Sequence, residues 1–570
     1  MEIVKHEGPG RLGLVKLNGK TFETPALSGV DFTLSPFNSY FYPKDFREYD
    51  FNLAPSIPLS FYTPREIVEK ALSRLYDVDY SKFNTLYVPV VRNIEYIDEF
   101  LENVLSQYSF DALYIGNAKI FVRDYRRFVQ AIKLIREKDP NLMLITDLEP
   151  FFYPLAVYLG IDAFDVRSLK LYDIHKKGFT QFSPIIWSES TNSLEFAKET
   201  IQLVRKALKE GKLRYLVENF FYTQAHAGIL RIADREHSEY LEKYTPIQKE
   251  TVYFISDASQ NRPEVVRWRQ RVVERFNPPE NAEVLFLFPC SAKKPYSHSR
   301  SHTLYRKALK EALGQGIYRI HELILTSPFG VVPREWEWLA KYDIVVTGHW
   351  SEEEINSAAE LLAKVLEKYP NIPIIAHLDE AYVEVAKRAC EMSGREIIFV
   401  PVKNGTTSKE SLDALKRTIK ELGLELVARK EDRTYRFYEN IRKVFDFYFG
   451  IGAGEAVLPE EARIIGSKML RIFMDNHQTG TYQDGVISVT PYGMQRIYDA
   501  TRSYYVKIDF DLRGDVFAVG VNEADAKIRP DDIVGVVRDE KVVGVGKAIL
   551  SGEEMVKAKR GIAVKVRKKT

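Results

Sequence analysis

The stretch Phe288–His302, FPCSAKKPYSHSRSH, concentrates reactive side chains in one short segment. It holds Cys290, one of only two cysteines in the 570-residue chain, together with two adjacent lysines, two histidines and four serines. A thiol that faces lysines and the start of a helix favours the thiolate form, which attacks electrophilic carbons such as a carbonyl, an amidine or a nitrile. His302 and Lys294 are the candidates to deliver the proton that the attacked group then needs.

Two other interpretations of Cys290 stay open at this point. Free cysteines are mostly small, buried and inert residues, and the rest of the segment would then be an ordinary basic loop. Alternatively, Cys290, His298 and His302 could ligate zinc, although His298 falls in the loop and no neighbouring carboxylate completes the set. Cys390 lies in a helical pattern and is interpreted as a core residue.

The flanking patterns indicate which elements hold this segment. The apolar run VLFLF at 284–288 predicts a buried strand directly before Cys290, and the sequence TLYRKALKEAL after the segment predicts a helix. Loops that follow the carboxyl ends of strands are where α/β sheets place their ligands. Ser299, Ser301 and Thr303 are the candidate caps of the helix.

The order of patterns along the chain predicts a multidomain α/β and α+β protein. Strands alternate with amphipathic helices in the first two units, whereas short strands and glycine turns dominate after about residue 430. The predicted domains are a (β/α) barrel at 1–255, a doubly wound α/β domain at 280–428, a small α+β domain at 429–500 and a compact β-barrel at 501–570.

Composition limits the class of protein. The chain is 45% hydrophobic and 28% charged with a formal net charge of +2, which is typical of an ordered globular protein. No apolar run approaches the length of a membrane span, so we expect a soluble, cytoplasmic protein without a membrane partner. Two cysteines cannot form a four-cysteine zinc site or a three-cysteine iron–sulfur site, and we expect no metal and no cofactor.

Two further groups of residues are candidate functional sites. Asp162 and Asp165, in the sequence GIDAFD, would be catalytic carboxylates at a strand end of the barrel, or else residues that cap or form ion pairs. The final seventy residues hold fifteen Lys and Arg against eleven Asp and Glu, a local basic excess that suits a nucleic-acid contact as well as a solvated tail. The candidate RNA contacts there are Arg529, Lys547, Arg567, Lys568 and Lys569.

The pattern P-C-x3-K-P-Y-x2-S-x2-H, from Pro289 to His302, resembles the signature of the archaeosine synthase family, paralogues of the archaeal tRNA-guanine transglycosylases. The segments 155–180 and 211–220 resemble the transglycosylase barrel, and 515–568 is similar to a PUA domain, an RNA-binding β-barrel. The resemblance spans nearly the whole chain and implies a degenerate TIM-like transglycosylase barrel, a doubly wound domain, a small α+β domain and a C-terminal PUA barrel.

This resemblance implies a substrate and a reaction. The substrate is tRNA that carries 7-cyano-7-deazaguanine in its D-arm, at position 15, and the nitrile is converted toward the amidine of archaeosine. The Cys290 thiolate would add to the nitrile carbon to give a thioimidate, and an amine would then displace the sulfur. From residue type, Tyr296 would pack against the deazaguanine and Ser299 would hydrogen-bond the developing imidate nitrogen.

Members of the family differ in the amine donor that they use. Free lysine is the donor that we favour, because the sequence shows no glutaminase Cys–His pair apart from Cys290. A radical-SAM partner protein would then cleave the adduct, since this chain lacks the cysteines for the cluster. Glutamine-derived nitrogen is the alternative donor. The resemblance to the parent family, whose members often dimerise, also implies a homodimer.

The chain departs from the transglycosylase pattern in two places. It lacks the Cys-x-Cys-x2-Cys zinc site, and it contains no Asp-Ser-Gly segment. Base exchange is therefore not expected. Asp162 or Asp165 would occupy the position of the transglycosylase nucleophile without its catalytic role. Base exchange and a non-catalytic tRNA-binding scaffold are the alternative functions.

Overall fold

The computed structural model describes residues 1–179, 192–220, 223–247, 250–345, 348–424 and 426–570, together with the backbone of 186–187. The chain forms two compact units. The first comprises 1–247, 506–534 and 546–567, and the second comprises 248–505, 535–545 and 568–570. None of the helices in these described ranges is both long enough and apolar enough to cross a membrane.

The first 247 residues contain an antiparallel sheet in the order β1-β2-β3 and a parallel sheet in the order β4-β8-β7-β6-β5. The strands are β1 (Glu2–Glu7), β2 (Gly10–Leu17), β3 (Lys20–Thr24), β4 (Ala26–Leu27), β5 (Thr85–Val88), β6 (Ala112–Ile115), β7 (Met143–Thr146), β8 (Ala163–Phe164), β9 (Lys177–Gly178) and β10 (Ile186–Trp187). The helices are α1 (Arg65–Tyr76), α2 (Glu95–Gln107), α3 (Ala118–Phe121), α4 (Tyr125–Lys138), α5 (Tyr153–Leu159), α6 (Leu169–Ile174), α7 (Ser193–Glu210), α8 (Leu213–Asn219), α9 (Gln224–Glu236) and α10 (Ser238–Lys243). In the described residues this parallel sheet has five strands, so the eight-stranded barrel stays a prediction.

The next segment carries a five-stranded sheet in the order β14-β13-β12-β16-β17 and a separate parallel pair of β11 and β15. The strands are β11 (Val252–Phe254), β12 (Val284–Pro289), β13 (Ile320–Thr326), β14 (Gly330–Pro333), β15 (Tyr342–Ile344), β16 (Ile374–Ala376) and β17 (Ile398–Phe399). The helices are α11 (Pro263–Arg275), α12 (Arg300–Leu313), α13 (Glu352–Leu366), α14 (Glu380–Ser393) and α15 (Lys409–Glu421).

Strand β12 is the centre of this second sheet. All six of its residues are buried, as expected for a strand with parallel neighbours on both sides and helices over both faces. Phe288 stacks on Tyr305 of α12, with 4.9 Å between the ring centroids, and so fixes the helix against the strand. The predicted strand at 284–288 is confirmed, and it ends one residue before Cys290.

The remainder of the chain is α+β, and then mostly β. Its helices are α16 (Asp432–Phe449), α17 (Ala453–Val457), α18 (Pro491–Thr501) and α19 (Gly552–Lys557). Its strands are β18 (Arg463–Ile465), β19 (Leu470–Met474), β20 (His477–Gln483), β21 (Val486–Val489), β22 (Tyr505–Lys507), β23 (Val516–Phe517), β24 (Glu523–Ala524), β25 (Ile533–Arg538), β26 (Lys541–Ala548) and β27 (Ile562–Lys569). They form one sheet in the order β18-β19-β20-β21 and another in the order β23-β27-β26-β25-β22-β24. The mixed α/β class is confirmed, whereas the four domain boundaries stay predictions.

Candidate active site

Cys290 lies at the point where the sheet order reverses. The chain passes from β12 through α12 to β13 on one side, and later returns to β16 on the other side. At such a switch point the two connecting loops separate and leave a crevice beyond the carboxyl end of the central strand. Cys290 is the first residue after that end and is half-buried. Cys290 therefore lies outside the core of the sheet, at the edge where α/β sheets bind their ligands.

The sulfur of Cys290 is in contact with a tyrosine from the neighbouring connection. The hydroxyl oxygen of Tyr382 lies 3.1 Å from Sγ, and Tyr382 stands in the first turn of α14, just after β16. The Tyr382 ring packs edge-to-face on Trp350, with 5.0 Å between the centroids. Burial first, and the negative charge at Cys290 second, raise the pKa of Tyr382. The phenol therefore keeps its proton at neutral pH and is a donor beside the sulfur.

Lys294, four residues after Cys290 on the same loop, has a buried ammonium group. Its Nζ lies 4.1 Å from the centroid of the Tyr342 ring and has no hydrogen-bond acceptor among the described residues. Burial lowers the pKa of Lys294, while the negative charges at Cys290 and Asp343 oppose that effect. A cation over an aromatic face is stabilised by the ring quadrupole. This arrangement holds a positive charge close to the thiol without pairing it to a carboxylate.

The structure corrects the predicted role of His302 as a proton donor. The ring is wholly buried, with Nε2 3.1 Å from the Pro289 carbonyl oxygen and Nδ1 2.9 Å from an Arg334 guanidinium nitrogen. Burial and the Arg334 charge lower the pKa of His302 to about 3. The imidazole is therefore neutral, donates from Nε2 to Pro289 and accepts at Nδ1 from Arg334. It positions the residue before Cys290 instead of delivering a proton.

Arg334 is the centre of a buried ion network that supports this histidine. Its guanidinium donates to Glu322 at 3.1 Å from Nε and to Glu337 at 2.9 Å from Nη1. Burial alone would raise the pKa of Glu322, but the charge of Arg334 outweighs burial and holds it at about 2. Glu337 in turn accepts from the backbone N–H of Ser297 at 2.8 Å. The network thus fixes the loop at both Ser297 and His302.

Ser299 and Tyr296 have structural positions that differ from their predicted substrate contacts. Ser299 is the N-cap of α12, and its Oγ accepts from the backbone N–H of His302 at 3.2 Å, which confirms one of the predicted caps. Tyr296 is fully buried, and its hydroxyl lies 2.6 Å from that of Tyr342. Its ring is therefore covered by protein and does not offer a stacking surface for a base.

The two aspartates of the first unit are engaged in ion pairs. Asp162 is wholly buried between Arg11, whose Nε is 2.8 Å from Oδ1, and Arg136. Burial would raise the pKa of Asp162, but the two arginines keep it below its usual value. Asp165 accepts from Arg167 at 2.9 Å from Nε and from the hydroxyl of Tyr114 at 3.2 Å. The ion-pair interpretation is confirmed for both, and neither is a free catalytic carboxylate.

The five predicted RNA contacts fall into two groups. Arg529 is paired with Glu242 at 2.7 Å, and Lys547 is paired with Asp531. These two cations are therefore partly used within the protein. The remaining three, Arg567, Lys568 and Lys569, are exposed at the end of β27. The RNA contacts at all five residues stay predictions.

The described residues contain no group of three or more His, Cys, Asp and Glu side chains arranged to hold a metal ion. The zinc alternative also conflicts with His302, because both of its ring nitrogens already have partners. His298, the third member of that set, is exposed and packs edge-to-face on Trp338 at 5.1 Å.

Comparisons with known proteins agree with this organisation. The profile of a family described as "Domain of unknown function (DUF5591)" matches residues 265–419, and the PUA domain profile matches residues 509–570. The chain is 72% identical over 570 residues to archaeosine synthase subunit alpha of Thermococcus kodakarensis, which covers 100% of both chains. It is 32% identical to archaeosine synthase of Methanocaldococcus jannaschii, which covers 78% of this chain and 77% of that one. It is 26% identical to a tRNA-guanine(15) transglycosylase of Methanothermobacter thermautotrophicus, over 78% of this chain and 69% of that one.

The fold and the profile matches define a multidomain α/β protein with a C-terminal PUA domain, a type of RNA-binding domain. The chain belongs to the archaeosine synthase family of tRNA-modifying enzymes. The family resemblance predicted from the segment Pro289–His302 is thereby confirmed.

Sequence reasoning missed three residues of the site: Tyr382, Arg334 and Tyr342. Each reaches the segment Phe288–His302 from a distant part of the chain, 92 residues away in the case of Tyr382 and Cys290. Only one of them leaves a local signal, since Tyr382 follows an apolar run, PIIAHL, that predicts the neighbouring strand. The clue to Tyr382 in the sequence was its place in the first turn of the helix that follows this strand.

Proposed function

We propose that this chain is a transferase that adds an amine to the nitrile of 7-cyano-7-deazaguanine at position 15, in the D-arm of tRNA, during archaeosine biosynthesis. The observation that carries the proposal is the place of Cys290 at the switch point, with the Tyr382 hydroxyl 3.1 Å from its sulfur and Lys294 on the same loop. Membership of the archaeosine synthase family supplies the substrate class. The PUA domain supplies the means of holding RNA.

The first half of the reaction is addition of the thiol to the nitrile. The Cys290 sulfur bonds to the nitrile carbon, and one carbon–nitrogen π bond breaks. Tyr382 gives its hydroxyl proton to the nitrile nitrogen and takes up the thiol proton, so the phenol is unchanged at the end. The ammonium of Lys294 stabilises the negative charge that develops on sulfur during this exchange. The product is a neutral thioimidate between Cys290 and the base.

The second half releases the enzyme. The amine attacks the thioimidate carbon, the carbon–sulfur bond breaks, and the proton lost by the amine returns to sulfur. An amidine remains on the tRNA and Cys290 is again a thiol. Covalent capture divides a slow addition to a weak electrophile into two faster steps.

We propose free lysine as the amine donor and glutamine-derived nitrogen as the alternative. With lysine, the adduct still has to be cleaved, and a radical-SAM partner protein would perform that cleavage. The two cysteines of this chain do not provide the three thiolates that such a cluster requires.

The alternative functions are base exchange and passive tRNA binding. Base exchange needs an available carboxylate nucleophile in the first unit, and Asp162 and Asp165 are both held by arginines. A passive scaffold would have no use for a thiol placed against a phenol. We therefore rank both below amine transfer.

Product mass tests the proposal. The protein is incubated with tRNA carrying 7-cyano-7-deazaguanine and either lysine or glutamine, and the digested nucleosides are weighed. The modified nucleoside should gain the full mass of lysine, or that of ammonia if glutamine is the source. No gain with either donor would contradict the proposed function.

Two cysteine variants test the covalent mechanism. Without a donor, wild type should form a protein–tRNA adduct that survives denaturing electrophoresis. Cys290→Ala should form neither adduct nor product while it still binds tRNA, and the matched variant Cys390→Ala should behave as wild type. Full activity of Cys290→Ala would show that the reaction does not pass through a thioimidate at Cys290.

A further inference from the structure

We propose that a cleft beside Lys294 is the nucleoside pocket that receives the modified guanine after it leaves the RNA stack. The cleft has a volume of about 540 Å³ and is bounded by the loop Ala292–Pro295, the segment Glu337–Lys341 and the strand pair β11–β15. Its size suits a single nucleoside, and it lies on the flank of the loop that follows Cys290. This inference rests on the proposed function, which defines the base.

The walls of the cleft combine aromatic and charged side chains. Tyr253 lines it with a ring that is 43% exposed, and the half-buried Trp338 lines it from another element. Enzymes that act on a base out of the stack hold it between aromatic side chains and read its Watson–Crick edge by hydrogen bonds. Exposed aromatic rings in a cleft that also carries lysines fit a nucleoside better than an aliphatic ligand.

Asp343 is the residue that identifies a guanine edge. It is the register partner of Tyr253 in the parallel β11–β15 pair, so the two side chains lie next to each other on one face of the strands. Asp343 is exposed in the cleft. A carboxylate only accepts hydrogen bonds, and the guanine edge offers two adjacent donors, N1–H and the exocyclic amine. Lys293 and Lys341, also on the lining, supply positive charge for the flanking phosphates.

The chemistry of the base connects this cleft to Cys290. The nitrile is carried by C7 of the five-membered ring, on the Hoogsteen edge of the base. A base held by Asp343 through N1–H and the exocyclic amine therefore leaves its nitrile uncovered by Asp343. The lining loop Ala292–Pro295 begins two residues after Cys290, and its Lys294 lies over the ring of Tyr342, another lining residue, with 4.1 Å between Nζ and the ring centroid. The cleft is thus built on the same loop that carries the sulfur.

The test uses the full-length protein and two tRNAs that differ in one group. One carries 7-cyano-7-deazaguanine, and the other carries the same base without its exocyclic amine. Equilibrium affinity and product formation are measured separately for wild type, for Asp343→Ala and for a control, Asp413→Ala. The control removes a partly exposed aspartate of α15 that is paired with Lys416. Wild type and the control should prefer the complete base about tenfold or more, and Asp343→Ala should lose this preference.

A second pair of variants tests whether the ring of Tyr253 stacks on the base. Tyr253→Ala should weaken binding of the modified tRNA by about tenfold, whereas Tyr253→Phe, which keeps the ring, should bind as wild type does. If Asp343→Ala keeps its preference for the complete base and Tyr253→Ala keeps its affinity for the modified tRNA, the cleft is not the nucleoside pocket. Wild type that binds the modified tRNA in this base-selective way but yields no mass gain would contradict the proposed function and leave the pocket intact.

Discussion

The hydroxyl oxygen of Tyr382 lies 3.1 Å from the sulfur of Cys290, although 92 residues separate the two in the chain. The contact exists because β12 and β16 are parallel neighbours, so the residues that follow them meet at one edge of the sheet. A thiol and a phenol hydroxyl are thereby carried by two different connections and brought together by strand pairing.

Tyr382→Phe should slow adduct formation by about 100-fold, because it removes the proton relay while it keeps the ring that packs on Trp350. Single-turnover adduct formation measures this rate. Tyr305→Phe is the matched control, since it also removes a buried hydroxyl, the one that lies 2.6 Å from Thr406. Equal rates in the two variants would mean that Tyr382 does not take part in proton transfer.

His302 makes stability depend on pH in a defined direction. Its pKa is about 3 in the folded protein and about 6.5 in an unfolded chain. Between these values the unfolded chain binds more protons, so stability falls as the pH is lowered through this window. His302 alone should cost about 2 kcal/mol between pH 7 and pH 5. Chemical unfolding at both pH values should show a smaller loss in His302→Gln, and an identical loss would show that the imidazole is not held neutral.

Arg334→Met should destabilise the protein by about 3 kcal/mol, because it leaves the buried Glu322 carboxylate with only the more distant Arg306, 3.9 Å away, as its cation. The same change should also reduce the rate of adduct formation, since His302 loses the group that fixes its ring. The control is Arg388→Met, which removes an arginine paired with Glu352 on the surface and should change unfolding little. Similar unfolding midpoints for the two variants would contradict the role given to the network.

The basic end of β27 should set the affinity for tRNA. Joint replacement of Arg567 and Lys568 by alanine should weaken binding and reduce the salt dependence of the binding constant by about one unit of slope per lost phosphate contact. Arg529→Ala should have a smaller effect on binding, because that side chain is already paired with Glu242. Filter binding over a range of salt concentrations measures both quantities. A larger loss of tRNA affinity in Arg529→Ala than in the double variant would mean that Arg529, and not the end of β27, is the main RNA contact.

Local patterns in the sequence were sufficient for the elements around Cys290. The run VLFLF predicts a strand because it is apolar on both faces, and the strand is indeed central and buried. Ser299 was among the predicted caps because a small hydroxyl before a helical pattern satisfies a free N–H. These features depend on residues that are close together in the sequence, so they could be predicted from the sequence alone.

The roles of individual polar residues were less predictable, for a physical reason. His302 has the residue type of a proton donor, but Arg334, which lies 32 residues further along, fixes it in the neutral form. Asp162 has the type of a catalytic carboxylate, but Arg11, which lies 151 residues away, neutralises it. Protonation states are set by charges that only the fold brings together, and no local pattern encodes them.

The enclosure of His302 has a consequence for the charge at this edge of the sheet. With its imidazole enclosed and neutral, His302 does not change charge from about pH 5 upward. Across that range this residue therefore leaves the charge of the strand end at Pro289 and of the first turn of α12 unaltered.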